Sequence, residues 1–277
     1  MRNVLPFVRK KIENPVYFLH IPKTAGTSVH KYLMKTFRRS HICFARLWDH
    51  VAQAKGIDGY GVYSGHFMDC LEPFLGLDMQ TVTVLRDPIE RSISHFAHVK
   101  RDTAHPYHAL ARTMTLRDFC LHPETRHMIE NFQSAYLAAR IPDPIIHARR
   151  VAPEETERLG LSVTIERTML NLRSDGSLLG AARARLNKCV AVGVTERLED
   201  SLEAFSLALG AAPQRSVPFE NRSSNRPKSV DAETLELIRD LTAVDAAVYR
   251  MAQNLLDARL AHLRHAAHAA RPWYSQQ

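Results

Sequence analysis

A strand that ends in a tight loop, with a helix opening from the loop, occurs twice in this chain. No other feature constrains its fold as strongly. The first unit runs Val16-Tyr17-Phe18-Leu19-His20-Ile21-Pro22-Lys23-Thr24-Ala25-Gly26-Thr27-Ser28. The second runs Thr81-Val82-Thr83-Val84-Leu85-Arg86-Asp87-Pro88-Ile89-Glu90-Arg91-Ser92-Ile93-Ser94-His95-Phe96. Repeated strand–loop–helix units imply right-handed crossovers. The expected fold is therefore α/β, with a mostly parallel central sheet flanked by helices. Ligands of such sheets bind outside the carboxyl ends of the strands, and both loops fall at such ends.

Each loop carries the chemistry of an anion site. In the first, Pro22 and Gly26 punctuate the turn, and Thr27 or Ser28 is placed to cap the helix. A helix N-terminus presents unpaired N–H groups and a partial positive charge. Lys23 adds a full charge; Thr24, Thr27 and Ser28 add hydroxyls. The spacing differs from G-x-x-x-x-G-K-[ST], in which the lysine follows the glycines; here Lys23 precedes Gly26. In the second unit, Arg86 stands at the strand end and Pro88 suits the first helical turn. Ser94 lies about two turns along. An arginine fork and a hydroxyl together can grip a second phosphate.

In this order the two elements resemble those of sulfotransferases that use 3′-phosphoadenosine 5′-phosphosulfate (PAPS). Lys23-Thr24-Ala25-Gly26-Thr27-Ser28 looks like the family's 5′-phosphosulfate loop, and Arg86 through Ser94 like its 3′-phosphate motif. The wording is closest to the carbohydrate group that includes the heparan sulfate 2-O- and 6-O-sulfotransferases. Tyr63-Ser64-Gly65-His66, Asn131 to Leu137 and Val192 to Leu202 add support, so the resemblance spans about Val16 to Tyr249. It implies a P-loop nucleotide-kinase-like sulfotransferase fold and PAPS as co-substrate. The product would be 3′-phosphoadenosine 5′-phosphate (PAP), and no metal is required. It also implies transfer of a sulfuryl group to a hydroxyl of a saccharide or glycolipid. Where the family loop often has two adjacent glycines, this chain has Ala25-Gly26. Ala25 disfavours a left-handed backbone, so a loop that differs there is expected. Golgi members begin with a membrane anchor, and none is expected here.

The chain of 277 residues is 45% apolar and 24% charged, ordinary for a globular protein. One domain is expected over residues 1–277, with a core at about 15–210. A loop and long helix follow at about 211–265, then a frayed tail at 266–277. No apolar run approaches a membrane span and no signal region is apparent, so a cytoplasmic protein is the default. Cys43, Cys70, Cys120 and Cys189 are widely spaced and read as reduced thiols. A net charge of +8 favours anionic partners such as a nucleotide, an acidic glycan or, peripherally, a membrane surface. No motif points to nucleic acid.

An acceptor hydroxyl needs a base, and histidine is the usual choice. Of fifteen histidines, His66 ends a strand after Gly65 on the same sheet edge as the loops. The family's Gly-His element carries a catalytic histidine in some glycan sulfotransferases. His66 is the expected base and His20 the alternative. Lys23 is the expected partner of charge building on the oxygen between phosphate and sulfate. Arg91 reads as structural or solvent-facing, and His95 and His98 as helix surface. The donor-rich loop from Asn221 to Lys228 reads either as a solvated connector or as a flap over the nucleotide, with Arg226 or Lys228 touching a phosphate. Gln133 and Glu196 are candidates for the acceptor or adenosine surroundings. His262, His265 and His268 read as solvated rather than as a metal site.

Strands are expected at Val16–Ile21, His41–Leu47, Gly61–Phe67, Thr81–Leu85 and Cys189–Thr195. Helices are expected at Thr27–Phe37, Ile89–Lys100, Glu124–Ala139, Pro153–Leu172 and Leu198–Leu209, with a last one from Asp231 to about Leu263. Two rival functions remain: a small-molecule or nucleotide kinase, and a catalytically inactive anion- or glycan-binding protein.

Overall fold

Four short strands, buried along almost their whole length, form the centre of the molecule: β1 (Val16–Leu19), β2 (Val62–Gly65), β3 (Gln80–Leu85) and β4 (Ala191–Val194). Their order is β2-β1-β3-β4, and every pairing is parallel. Val16 stands opposite Val62 on one side and Gln80 on the other; Val82 stands opposite Ala191. Parallel strands covered on both faces need near-continuous apolar runs, which is why all four are recognisable as sequence. The structure, a computed structural model, describes residues 14–171, 177–212 and 229–269.

Helices cover both faces. They are α1 (Gly26–Thr36), α2 (Trp48–Gln53), α3 (Leu71–Leu75), α4 (Pro88–Arg101), α5 (His108–Ala111), α6 (Leu116–Leu121) and α7 (Phe132–Ala138). Then follow α8 (Pro144–Val151), α9 (Pro153–Leu159), α10 (Leu161–Asn171), α11 (Leu178–Lys188), α12 (Leu198–Ala208), α13 (Ala232–Leu241) and α14 (Ala243–Ala269). The sheet core joins β1–β4 to residues of α1, α7, α11, α12 and α14. A second apolar cluster lies beneath α4, with Phe96, Phe119, Ile129 and Ile238.

The expected α/β architecture with a parallel sheet is the one observed, and several local expectations need correction. His41–Leu47 is not a strand: Ile42 makes a single bridge to Val62. Glu124–Ala139 is not one helix but a short turn at Arg126–Met128 followed by α7. Pro153–Leu172 breaks at Gly160, whose φ of 81° ends α9. The last helix is two, α13 and α14, parted at Thr242. Asp231 does cap α13, its side chain accepting from Thr234 N at 2.8 Å. The starts of α7 and α14 cap each other. Asp245 accepts from Gln133 N (3.0 Å) and Ser134 N (2.7 Å), while Asn131 Oδ1 accepts from Val244 N (3.0 Å).

The four cysteines are buried free thiols. Among the described residues, no helix is long and apolar enough to cross a membrane. At the end of the sheet away from the strands' carboxyl ends, Arg185 is buried between Asp69 (2.7 Å) and Glu72 (2.5 Å) and donates to Thr81 Oγ1. A buried guanidinium needs such full pairing to be tolerated.

Candidate functional site

With β1 between β2 and β3, the chain leaves β1 toward one side of the sheet and later returns on the other. The resulting crevice lies between the loops after β1 and β3, where open α/β sheets bind ligands. A cleft of about 910 Å³ occupies it. Lys23, Ala25, Gly26 and Thr27 of the first loop line it, together with Arg86 of the second, Ser94 of α4, His20 and His66. The two anion motifs, 63 residues apart at Lys23 and Arg86, thus open into one space, and Arg86 Nη1 donates to the Lys23 carbonyl at 3.3 Å.

The first loop is built from backbone conformation. Lys23 (φ 74°) and Ala25 (φ 61°) are both left-handed. Ala25 therefore takes the conformation that its Cβ disfavours, at a cost of about 1–2 kcal/mol. A left-handed residue before a helical one turns successive N–H groups toward one concavity, a known anion nest. Ala25 itself is the N-cap of α1, and no side chain caps the helix, contrary to the expectation for Thr27 or Ser28. Thr27 is exposed at the cleft, whereas Thr24 and Ser28 are buried. The Thr24 hydroxyl donates to the Ile21 carbonyl at 2.9 Å, so it shapes the turn. Gly26 is required by close approach, since a Cβ there would overlap the His20 ring. Burial, with Arg101, Arg91 and Arg86 nearby, pulls the Lys23 ammonium down to about 8. It still carries its charge at neutral pH, and an incoming anion would relieve the crowding of like charges.

Side chains and regular helix geometry hold the second loop. Asp87 caps α4 by accepting from Glu90 N at 3.0 Å, with Pro88 in the first turn. Gln133 brackets the Arg86 peptide, accepting its N–H (2.9 Å) and donating to its carbonyl (2.8 Å). Glu196 accepts from Asp87 N at 3.1 Å and from Tyr249 Oη at 2.8 Å. Gln133 and Glu196 are thus tied to this loop's backbone. Arg86 also pairs with Glu90 at 3.5 Å.

Arg91 is buried, not solvent-facing. It donates to the Pro22 carbonyl (3.2 Å) and the Met128 carbonyl, contacts His95 Nδ1, and stacks over Phe132. It braces the first loop from beneath. His95, expected on the surface, is buried against it, while His98 lines the cleft and faces Asp102 at 3.8 Å.

His66 reaches the cleft where it was expected. The chain crosses Gly65 closely: the Arg46 carbonyl accepts from His66 N at 2.9 Å, and a Cβ on Gly65 would strike the Arg46 backbone. The His66 ring lies 4.2 Å from that of His20. Its Nδ1 is 3.0 Å from the His20 carbonyl. A carbonyl only accepts, so Nδ1 carries the proton and Nε2 is the basic nitrogen. Burial, Arg46 and Lys23 push His66 down to about 4, against the pull of the His20 carbonyl. His20 is held well below its ordinary value by burial and by His66.

The opposite wall comes from elements with no sequence motif. Leu159, Gly160, Ser162, Val163 and Glu166 of the α9–α10 region line it, with Leu47 and the 104–106 loop. Asp49 locks this wall by capping α10 from α2, accepting from Leu161 N (3.1 Å) and Ser162 N (2.9 Å). Glu166 escaped the sequence reading because one glutamate on an amphipathic helix looks like any solvated residue. Only tertiary packing reveals it. Burial lifts its carboxyl to about 7. Arg226 and Lys228 lie outside the described residues. Among the described residues, no group of three or more His, Cys, Asp or Glu is arranged to hold a metal. No protein-family model matches the chain, and no curated protein does either.

Proposed function

We propose that this protein is a PAPS-dependent sulfotransferase that moves a sulfuryl group to a hydroxyl of a saccharide or glycolipid. The observation that carries this reading is the meeting of two separate anion motifs in one cleft at the switch point of the sheet. A donor with phosphates at both ends of its ribose needs two such grips.

In this reading the nest around Ala25 and Gly26, with Thr27, takes the 5′-phosphosulfate. Arg86 and Ser94 take the 3′-phosphate. Lys23 stands at the mouth of the first loop and would meet the charge that grows on the bridging oxygen as the sulfur–oxygen bond breaks. Arg226 remains part of the proposal as a further phosphate contact. The acceptor would enter along the opposite wall. Among the described residues lining that wall, Leu47, Leu159 and Val163 are apolar, Asp49 and Glu166 are acidic, and none is a lysine or arginine. This favours a neutral acceptor with an apolar face over a polyanionic glycan.

Ligand-dependent melting tests the donor. PAP should raise Tm, since a ligand that binds only the folded state stabilises it. Adenosine 5′-phosphosulfate, which lacks the 3′-phosphate, should raise it much less. Equal shifts from both nucleotides would remove the 3′-phosphate assignment. A larger shift from ATP than from PAP would favour a kinase instead.

A further inference from the structure

We infer that Glu166 is the group that takes the proton from the acceptor hydroxyl, an assignment that rests on the sulfotransferase reading above. Glu166 faces the same cleft as Lys23 and Arg86, from the wall where an acceptor would lie. On this wall Asp49 fixes the start of α10, and the Glu166 carboxyl takes a long hydrogen bond from Tyr136. Tyr136 Oη donates to Glu166 Oε2 at 3.5 Å.

The pairing of Glu166 differs from that of the buried acids elsewhere. Asp69 and Glu72 share Arg185, and Asp245 accepts three hydrogen bonds from Gln133 and Ser134. Among the described residues, Glu166 has one long bond from a neutral phenol. A poorly paired carboxyl that faces a cleft from a half-buried position is costly, and such groups concentrate where proton transfer occurs.

The reaction balances on these groups. The acceptor oxygen bonds to sulfur while the bond from sulfur to the bridging phosphate oxygen breaks. The hydroxyl proton passes to Glu166, and PAP leaves with the electron pair, its new charge met by Lys23. His66 is the weaker choice. Its Nδ1 is tied to the His20 carbonyl, and protonation would place an imidazolium beside Arg46 and Lys23. It serves as a positioning residue that joins the ends of β1 and β2. With Glu166 near 7 and His66 near 4, the two assignments predict acid limbs in different places.

The charged and titratable groups around Glu166 are known. Arg91 of α4 draws its carboxyl down and Tyr136 of α7 favours its ionised form, both outweighed by burial. Asp49 of α2 is committed to the α10 N-terminus. Glu155 of α9 pairs with Arg167. His147 of α8 and His127 of the 126–128 turn belong to the other elements packed near α10.

The experiment measures transfer of radiolabelled sulfate from PAPS to a mixed glycan and glycolipid extract of the producing cell, over a range of pH. The wild-type rate should fall as pH drops through about 7. Glu166→Gln should lower the rate by roughly 10²–10⁴ and remove that limb, while the PAP-induced rise in Tm persists. Tyr136→Phe removes a bond that favours the ionised form, so its limb should move above that of the wild type. His66→Asn should keep the wild-type limb. Glu166→Gln that transfers label with the limb intact overturns the assignment, as does a limb that only His66→Asn abolishes. A Tyr136→Phe limb that does not move also counts against it. No transfer by the wild-type protein overturns the sulfotransferase reading itself.

A stability measurement checks the raised carboxyl independently of turnover. The folded carboxyl lies above the ordinary glutamate value, which the unfolded chain keeps. Its ionisation therefore weakens the folded state as pH rises from that value toward 7. Glu166→Gln should be more stable than wild type above pH 7 and lose that advantage in acid.

Discussion

The loops after β1 and β3 face each other across one cleft, yet different means shape them. The first takes its form from its own backbone, with two left-handed residues, a buried threonine hydroxyl on a carbonyl and a glycine pressed against a histidine ring, while Arg91 and Arg86 brace its Pro22 and Lys23 carbonyls. The second keeps ordinary helix-start geometry, fastened from outside by Gln133 and Glu196. A strained backbone offers its amides to a ligand, which suits a group that must be gripped closely. A fastened regular loop offers side chains, which suits recognition at longer reach. Changes of volume should therefore damage the first loop most, and loss of single side chains the second.

The largest expected effect tests the division between binding and chemistry. Lys23→Ala should lower turnover by about 10²–10³, the usual loss when a group aimed at developing charge is removed. Its effect on PAP affinity should be smaller, because the backbone nest remains. Lys23→Arg should rescue only in part, since a planar fork places charge differently. Saturation kinetics and PAP titration on the same preparations check this. A variant that only weakens PAP binding would make Lys23 a binding residue alone.

Next comes volume in the first loop. Gly26→Ala places a methyl in the space of the His20 ring, so the ring or the start of α1 must shift. Overpacking of this kind costs roughly 1–3 kcal/mol, and urea unfolding should show it together with a loss of the PAP-induced Tm shift. Ser94→Ala supplies the contrasting case. It removes one hydroxyl from α4, just past the second loop, and stability should change little while PAP binding weakens. If the two variants behave alike, the contrast between the loops fails.

Arg86→Ala sharpens the comparison at the 3′-phosphate. A charge-assisted hydrogen bond contributes about 1.5–3 kcal/mol. Preference for PAP over adenosine 5′-phosphosulfate should fall accordingly, by roughly ten- to a hundredfold. Arg86 also donates to the Lys23 carbonyl, so a second, smaller loss of stability is expected. Calorimetric titration with both nucleotides separates the selectivity from that general loosening.

How much of this was legible in the sequence follows from where the information sits. Both loops and all four strands could be read because buried parallel strands are local apolar runs, and Lys23, Gly26, Arg86 and His66 follow within a few residues. Helix breaks were harder. Gly160 was visible as a glycine, yet the apolar spacing runs on across it. The break at Thr242 depends on Asn131 and Asp245 exchanging caps across more than a hundred residues. His95 looked like helix surface and Arg91 like a structural or solvent-facing residue, because the helix face that buries them is set by Phe132 and the Pro22 carbonyl, both distant in sequence. Glu166 required the tertiary fold, since nothing near it in sequence distinguishes a cleft wall from a solvated face.

The smallest effect concerns Ala25, where the chain departs from the double glycine that similar loops often carry. Its φ of 61° and ψ of 21° lie in the left-handed region, where the Cβ crowds the following carbonyl oxygen. Ala25→Gly removes that clash but also enlarges the freedom of the unfolded chain, which opposes the gain by about 0.4–1 kcal/mol. The net change in stability should therefore be slight, within about 1 kcal/mol, and favourable if the strain is as large as the dihedral implies. PAP affinity should stay nearly constant, because the nest amides keep their direction. A loop held by its own backbone should register this change, while Ile89→Ala outside the second loop's fastenings should leave PAP binding unaltered. If Ala25→Gly instead destabilises the protein by the full unfolded-state cost, the left-handed conformation carries no strain, and the first loop is held by its neighbours as the second is.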